Sequence, residues 1–226
     1  METRSCSGGT GFMSIISDSM PYIYKVNEPP QAAGHPAAAG QKNRDVRPAV
    51  CENKGGTHMN TSDAIRSRRS IRKYKKGSVI PKEHIRLLLE AAMMAPSACN
   101  TRPWEFVVVE SEEIQEKITA IHPHTQMLKT ASLAIVVCGR PDLQESICPG
   151  FWPQDCGAAI QNLLLQAREL GYGTCWCGCY PVMDRVKQLQ ALLSVSSMPL
   201  AVIAVGEADE EPAARGFYEE GKVTYL

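Results

Sequence analysis

From Thr61 onward the chain alternates between two hydrophobic periods, and each change of period marks an element boundary. Thr61 or Ser62 can cap a short helix over 61–69. Pro81 suits the first turn of a second helix, in which Ile85, Leu88, Leu89 and Ala92 recur at helical spacing until Pro96 ends the pattern. Residues 104–109 are aromatic and β-branched and predict a strand. Helices are expected over 112–121 and, shorter, over 125–130. The continuous apolar run 133–138 reads as a strand buried on both faces. A long helix over 153–170 closes at Gly171. It leads to a short strand over 174–177, a helix over 182–193 and a second buried strand over 200–205. Residues 206–226 show little period. Strands alternating with helices predict one domain with a central mixed sheet, about 165 residues long and without internal repeat.

Residues 1–58 have a different character. They mix Gly8-Gly9, Pro29-Pro30 and Ala37-Ala38-Ala39-Gly40 with scattered polar residues and show no sustained period. Such a stretch buries too little apolar surface to offset the entropy of ordering, so a disordered extension is expected. Lys54-Gly55-Gly56-Thr57-His58 corresponds to what a purine-rich ribosome-binding site would encode if read through, just ahead of Met59. Two readings stand: an over-extended gene with Met59 as its natural start, or a genuine flexible tail. The folded domain is expected over 59–226 in either case.

Composition narrows the function classes. Lys and Arg together number 24, as do Asp and Glu, so no charge excess marks a nucleic-acid or anionic-membrane surface. No apolar run is long enough to span a bilayer. The weak apolar stretch 11–16 lacks a basic flank and a small-residue cleavage site, and a cytoplasmic protein is the default expectation. With no secretory signal and a chain long enough to build its own core, the nine cysteines are expected to be reduced thiols.

Three segments could carry chemistry. Arg68-Arg69-Ser70-Ile71-Arg72 concentrates guanidiniums and a hydroxyl suited to a phosphate, with Arg68 and Arg72 one helical turn apart; a solvated basic helix end is the plainer reading. Pro96-Ser97-Ala98-Cys99-Asn100-Thr101-Arg102-Pro103-Trp104 is a turn-rich loop before a strand, which could equally be an ordinary connection. Cys175-Trp176-Cys177-Gly178-Cys179 places three thiols on one face of a strand. That spacing does not wrap a tetrahedral ion, and His122 and His124 read as remote surface residues, so no metal is expected. No P-loop, Ser-His-Asp order or Gly-rich dinucleotide fingerprint is present.

The first two segments resemble the flavin site of the nitroreductase family, FMN-dependent NAD(P)H oxidoreductases, and the resemblance runs from about Thr61 to the C-terminus. It implies a nitroreductase-like α+β fold, with a central mixed sheet flanked by helices in an intertwined homodimer. By the resemblance, Arg68, Arg69, Ser70 and Arg72 contact the phosphate, ribityl chain and pyrimidine edge of FMN. Pro96, Ser97, Ala98 and Asn100 line the flavin of the neighbouring subunit. Cys177 and Gly178 lie over the ring near N5 and O4, and Arg215, on a tail wrapping the partner, meets the phosphate. Cys99 and Arg102 depart from the family pattern, standing where Gly and Gln are common, and Gln126 stands where many relatives carry Lys. The long helix is expected at the dimer interface through Ala158, Ala159, Leu163, Leu164 and Ala167, while Asp155 serves its first turn. The activity implied is hydride transfer from NAD(P)H through FMN to nitroaromatic, quinone or similar conjugated acceptors, in ping-pong order, with no obligatory protein acid or base. The alternatives are a specialised relative such as a dehalogenase or enone reductase, a non-catalytic flavin-binding regulator, and a cysteine-based metal or redox protein.

Overall fold

The computed structural model describes residues 59–213 and 215–226. The expectation of a disordered extension over 1–58 lies outside the described residues. Strands β1 (Trp104–Val109), β2 (Leu133–Gly139), β3 (Tyr172–Gly178) and β4 (Met198–Glu207) form one sheet in the order β1-β2-β4-β3. Every neighbouring pair is antiparallel, so the mixed sheet expected from sequence is not what these strands build. The one parallel pairing among the described residues is an isolated bridge between Ser70 and Thr174. The reason lies in the connections. Between β1 and β2 the helix α3 (Glu112–Ile121) leads away and the 3-10 turn Pro123–Lys129 packs back against it, which returns the chain to the end of the sheet it left.

Strand alternation sorts the core into two layers. Phe106, Val108, Leu133, Ile135, Val137, Ile203 and Val205 face one side, under helices α2 (Lys82–Met93) and α4 (Trp152–Glu169). Val107, Val109, Ala134, Val136, Val202 and Ala204 face the other, under α3, the 123–129 turn and helix α5 (Met183–Leu193). With helices on both faces, β2 is buried at all seven positions, which is why its sequence is continuously apolar. The first helix, α1 (Thr61–Ser67), is capped one residue earlier than expected: the Asn60 side chain accepts from the Asp63 N–H.

Most of the helix α4 residues expected at a dimer interface pack within the chain itself. Ala159, Leu163, Leu164 and Ala167 are buried in the chain's own core against α2 and the sheet, leaving Ala158 half-buried. Their small and apolar character is consumed within the subunit. Among the described residues no helix is long and apolar enough to cross a membrane.

Candidate functional site

Helix α1 ends at Ser67, and Arg68 already has an extended backbone (φ −59°, ψ 131°). The arginines therefore do not share a helix face as the one-turn spacing suggested. Instead, residues 70–75 run along the sheet edge. Ile71 N–H donates to the Thr174 carbonyl (2.9 Å) and Lys75 N–H to that of Glu207 (2.9 Å). Two buried side chains pin this ribbon, Ile71 and Tyr74, and each lies over a glycine. A Cβ at Gly173 would fall 2.8 Å from Ile71 Cγ1, and one at Gly206 would fall 2.9 Å from the Tyr74 ring. The Tyr74 hydroxyl donates to the Ile71 carbonyl (2.8 Å), closing the turn.

The ribbon forms a ridge between two clefts. One, about 940 Å³, is lined by Arg66, Arg68, Arg69 and Arg168 together with Glu210 and Glu211. The other, about 900 Å³, is lined by Arg72, His122, Gln126, Met127, Arg185 and the strand segment from Cys175 to Gly178. The five-residue arginine motif is thus divided, with Arg68 and Arg69 on one side and Arg72 on the other. Glu210 draws in the ribbon by accepting from the Arg72 and Lys73 N–H groups, the latter at 3.1 Å. Arg69 is held by the carbonyls of Arg68 (2.6 Å) and Ala213 (3.2 Å). The Arg68 guanidinium makes no hydrogen bond or ion pair among the described residues, in a cleft whose four arginines are matched in number by Asp63, Asp209, Glu210 and Glu211.

The second cleft has a sulfur-rich floor. Cys175 and Cys177 point to one face of β3, with their Sγ atoms 4.0 Å apart, and Met127 Sδ lies 4.0 Å from Cys177 Sγ. The Cys177 thiol hydrogen-bonds Cys175 and, with Arg72 and Arg68 nearby, makes the Cys175 thiolate easier to form, while the same contact and then burial push the Cys177 thiol up. By contrast, burial pushes the thiols of Cys138, Cys156 and Cys179 up to about 12, which makes them packing residues. All seven described cysteines are free.

His122 was expected on the surface, remote from the cysteines. It is instead 1% exposed and 2.8 Å from the Gly178 carbonyl through Nε2. Its Nδ1 accepts from the His124 N–H (3.3 Å), so Nε2 carries the proton and the ring is neutral. Burial, followed by the Arg185 charge, lowers its pKa. Arg185 Nη1 donates to the same Gly178 carbonyl (3.0 Å). Two donors on different elements thereby fix the peptide after Gly178. Nothing in the local pattern around His122 or Arg185 announces this; the contact is made across 56 residues of chain for His122.

The loop containing Pro96, Ser97, Ala98 and Asn100 lines neither cleft. It sits at the start of α4, where Asp155, 7% exposed, accepts from Ala98 N–H (3.1 Å) and from Gln144 Nε2 (2.6 Å). Asp155 therefore anchors the loop rather than only serving a helix end. Cys99, Asn100 and Arg102 have φ near +50°, the left-handed region, which accounts for the glycine common at the position of Cys99. Arg102 donates to the Met93 carbonyl at the end of α2 and lies 6.0 Å from the Trp104 ring centre. Arg215 is exposed and lines neither cleft. Within one chain the expected residues thus form three separate groups, Arg68 with Arg69, Arg72 with Cys177 and Gly178, and the 96–100 loop, with Ser70 on the ribbon between the clefts and Arg215 outside all three.

The Nitroreductase family model matches residues 65–130 and 123–207. A protein of Methanothermobacter thermautotrophicus, named as a candidate NADH dehydrogenase/NAD(P)H nitroreductase, is 44% identical over 167 residues, covering 73% of this chain and 86% of its own length. The crystal structure of a similarly named protein from Parabacteroides distasonis superposes with a TM-score of 0.68 at 36% identity, covering 73% of this chain and 96% of that one. An FMN-dependent nitroreductase of Clostridium difficile superposes with a TM-score of 0.61 at 32% identity, covering 72% and 94%. With its motifs, its α+β architecture and these matches in agreement, the chain belongs to the nitroreductase family.

Proposed function

We propose that this protein is an FMN-dependent oxidoreductase that passes hydride from NAD(P)H to nitroaromatic, quinone or similar conjugated acceptors. The observation that carries the reading is the pair of clefts on either side of the 70–75 ribbon. The first offers the Arg68 guanidinium, without a hydrogen-bond or ion-pair partner among the described residues, beside Arg66 and Arg168, which suits a phosphate dianion. The second offers an apolar thioether and thiol floor under a cationic wall of Arg72 and Arg185, which suits a flat ring that gains negative charge on reduction. When bound, FMN supplies reversible two-electron chemistry at its ring, and this lets donor and acceptor use one site in turn, in ping-pong order. The residues around it bind and orient. Arg72 favours negative charge, His122 and Arg185 immobilise the Gly178 peptide, and Ser70 stands on the ridge between phosphate and ring positions.

The family name and the FMN-dependent relative in Clostridium difficile support this assignment. A homodimer completes it. In one chain the 96–100 loop lines neither cleft, and a second copy is what would bring that loop, and Arg215 on the exposed tail, to the flavin. Exposed Ile65, Phe151, Trp176, Phe217 and Tyr218 provide apolar surface for such contacts. The cytoplasm is the proposed location. Steady-state turnover of NADH and NADPH against a nitroaromatic and a quinone tests the activity, and parallel double-reciprocal lines are the expected pattern. A protein that binds FMN but oxidises neither nucleotide with any acceptor would be a flavin-binding regulator instead.

A further inference from the structure

We infer that Lys73 and Lys129 make the second cleft selective for conjugated acceptors that carry an anionic group, a carboxylate or sulfonate. This selectivity rests on the flavin reading and narrows its acceptor. The two clefts differ in charge. In the first, four arginines face four carboxylates. The second is lined by Arg72, Lys73, Lys129 and Arg185 against one carboxylate, Asp209. Counting Lys, Arg, Asp and Glu alone, the first is formally neutral and the second carries an excess of three positive charges. Asp209 is also shared, since it lines both clefts and its charge acts on Lys75.

None of these four cations has a carboxylate partner among the described residues. Arg72 Nη1 donates to the Ser70 carbonyl (3.5 Å) and Arg185 Nη1 to that of Gly178 (3.0 Å). The Lys73 and Lys129 side chains are exposed and make no hydrogen bond or ion pair among the described residues. Three elements supply the four: the ribbon gives Arg72 and Lys73, the turn Pro123–Lys129 ends on Lys129, and α5 carries Arg185. A lone exposed lysine is a solvated cation, whereas like charges around one concave surface focus their field into it. The negative charge that the ring gains on reduction offsets one of the three, and its phosphate belongs to the first cleft. Two positive charges are left for the acceptor. A neutral acceptor gains nothing from them, and an anionic one is drawn in and held. For a nitroarene the overall step consumes one NAD(P)H and one proton and yields the nitroso compound, NAD(P)+ and water.

The test compares kcat/KM for para-nitrobenzoate and para-nitrobenzamide, which are nearly the same shape, with NADPH as donor and flavin-loaded protein. The carboxamide withdraws electrons more strongly than the carboxylate, so intrinsic reactivity favours the amide, and a preference for the benzoate reports the protein. In ping-pong order kcat/KM for an acceptor excludes the donor step, so cations that also meet the phosphates of NADPH do not enter the ratio. The expected result is a preference for the benzoate of about tenfold or more at low salt, shrinking as ionic strength passes about 0.1 M, with the amide unaffected by salt. Lys73→Gln/Lys129→Gln should abolish that preference while flavin content and turnover of the amide stay as in the wild type. Equilibrium dialysis of para-nitrobenzoate against oxidised protein without NADPH gives a readout free of turnover, and the double variant should bind about tenfold more weakly. Equal kcat/KM for the two compounds, a preference that ignores salt, or one that survives in the double variant would each overturn the selectivity and leave the flavin reading standing. A double variant impaired only in kcat/KM for NADPH would overturn it too, by assigning the lysines to the donor. Turnover of neither compound, nor of a quinone, would overturn the flavin reading itself and the selectivity with it.

Discussion

His122 offers a sharp test because its role depends on a single protonation state. The neutral ring donates from Nε2 to the Gly178 carbonyl at 2.8 Å and accepts at Nδ1 from the His124 N–H at 3.3 Å. Replacing it with Phe removes both bonds. The Gly178 carbonyl keeps its Arg185 donor, so its loss is about 1 kcal/mol. The longer bond to His124 contributes less, and fitting phenyl into the imidazole site adds about 1 kcal/mol of packing cost. The total is about 1–3 kcal/mol, which for a domain of this size lowers the melting temperature by roughly 3–10 °C. The pH dependence is more specific. A folded-state pKa below the unfolded value of about 6.5 means the unfolded chain takes up the proton first. The His122 contribution is therefore fully present above pH 6.5 and is lost as pH falls through the folded pKa, at up to about 1.4 kcal/mol per pH unit. Gln at this position keeps a donor near Nε2 but cannot titrate. Chemical denaturation of wild type and His122→Gln between pH 8 and 5 should show the wild-type advantage shrinking on acidification. A gap between the two proteins that is constant across this range, or that widens towards acid, would refute the assignment of a neutral, buried His122.

Other changes report on the scaffold. Gly173→Ala drives a Cβ to within 2.8–3.0 Å of three Ile71 carbons and should cost about 1–3 kcal/mol, read as a lower urea midpoint; an unchanged midpoint would mean the 70–75 ribbon is not seated as described. Cys99→Gly relieves a left-handed backbone (φ 50°) and should stabilise the protein by about 0.5–1 kcal/mol, whereas destabilisation would contradict the strained loop. Asp155→Ala strips the acceptor from both the Ala98 N–H and the fully buried Gln144 amide, for an expected loss of about 2–4 kcal/mol by thermal unfolding. A shift below 0.5 kcal/mol would dispose of the anchoring role.

How much of this was legible in the sequence depends on which interactions set each element. The strand Trp104–Val109 and the helix Glu112–Ile121 fall at their expected bounds because side-chain period and a local cap, Ser111, decide them. Arg68 escaped the expected helix because Ser70 and Ile71 pair with Thr174, over a hundred residues away, and no local period encodes that competition. The alanines of α4 looked like interface residues, since an apolar stripe reads the same whether it faces its own sheet or a partner. His122 and Met127 were missed for a related reason. A lone polar or apolar residue in a short irregular turn has no period to read, and its meaning comes from the strand packed against it. The arginine motif itself was readable by residue type, but its division between two clefts is a property of the ribbon's path along the sheet edge.

The central claim, that the two clefts together hold a reducible flavin, is tested most directly by the visible absorbance of the purified protein before and after anaerobic addition of NADPH, with Arg68→Ala measured alongside. The account predicts flavin bands that bleach in the wild type and a sharply reduced flavin content in Arg68→Ala at unchanged stability, because that guanidinium has no hydrogen-bond or ion-pair partner among the described residues. A colourless wild-type protein that takes up no added FMN would contradict it, and an Arg68→Ala protein with stoichiometric flavin would remove the phosphate from the Arg68 cleft.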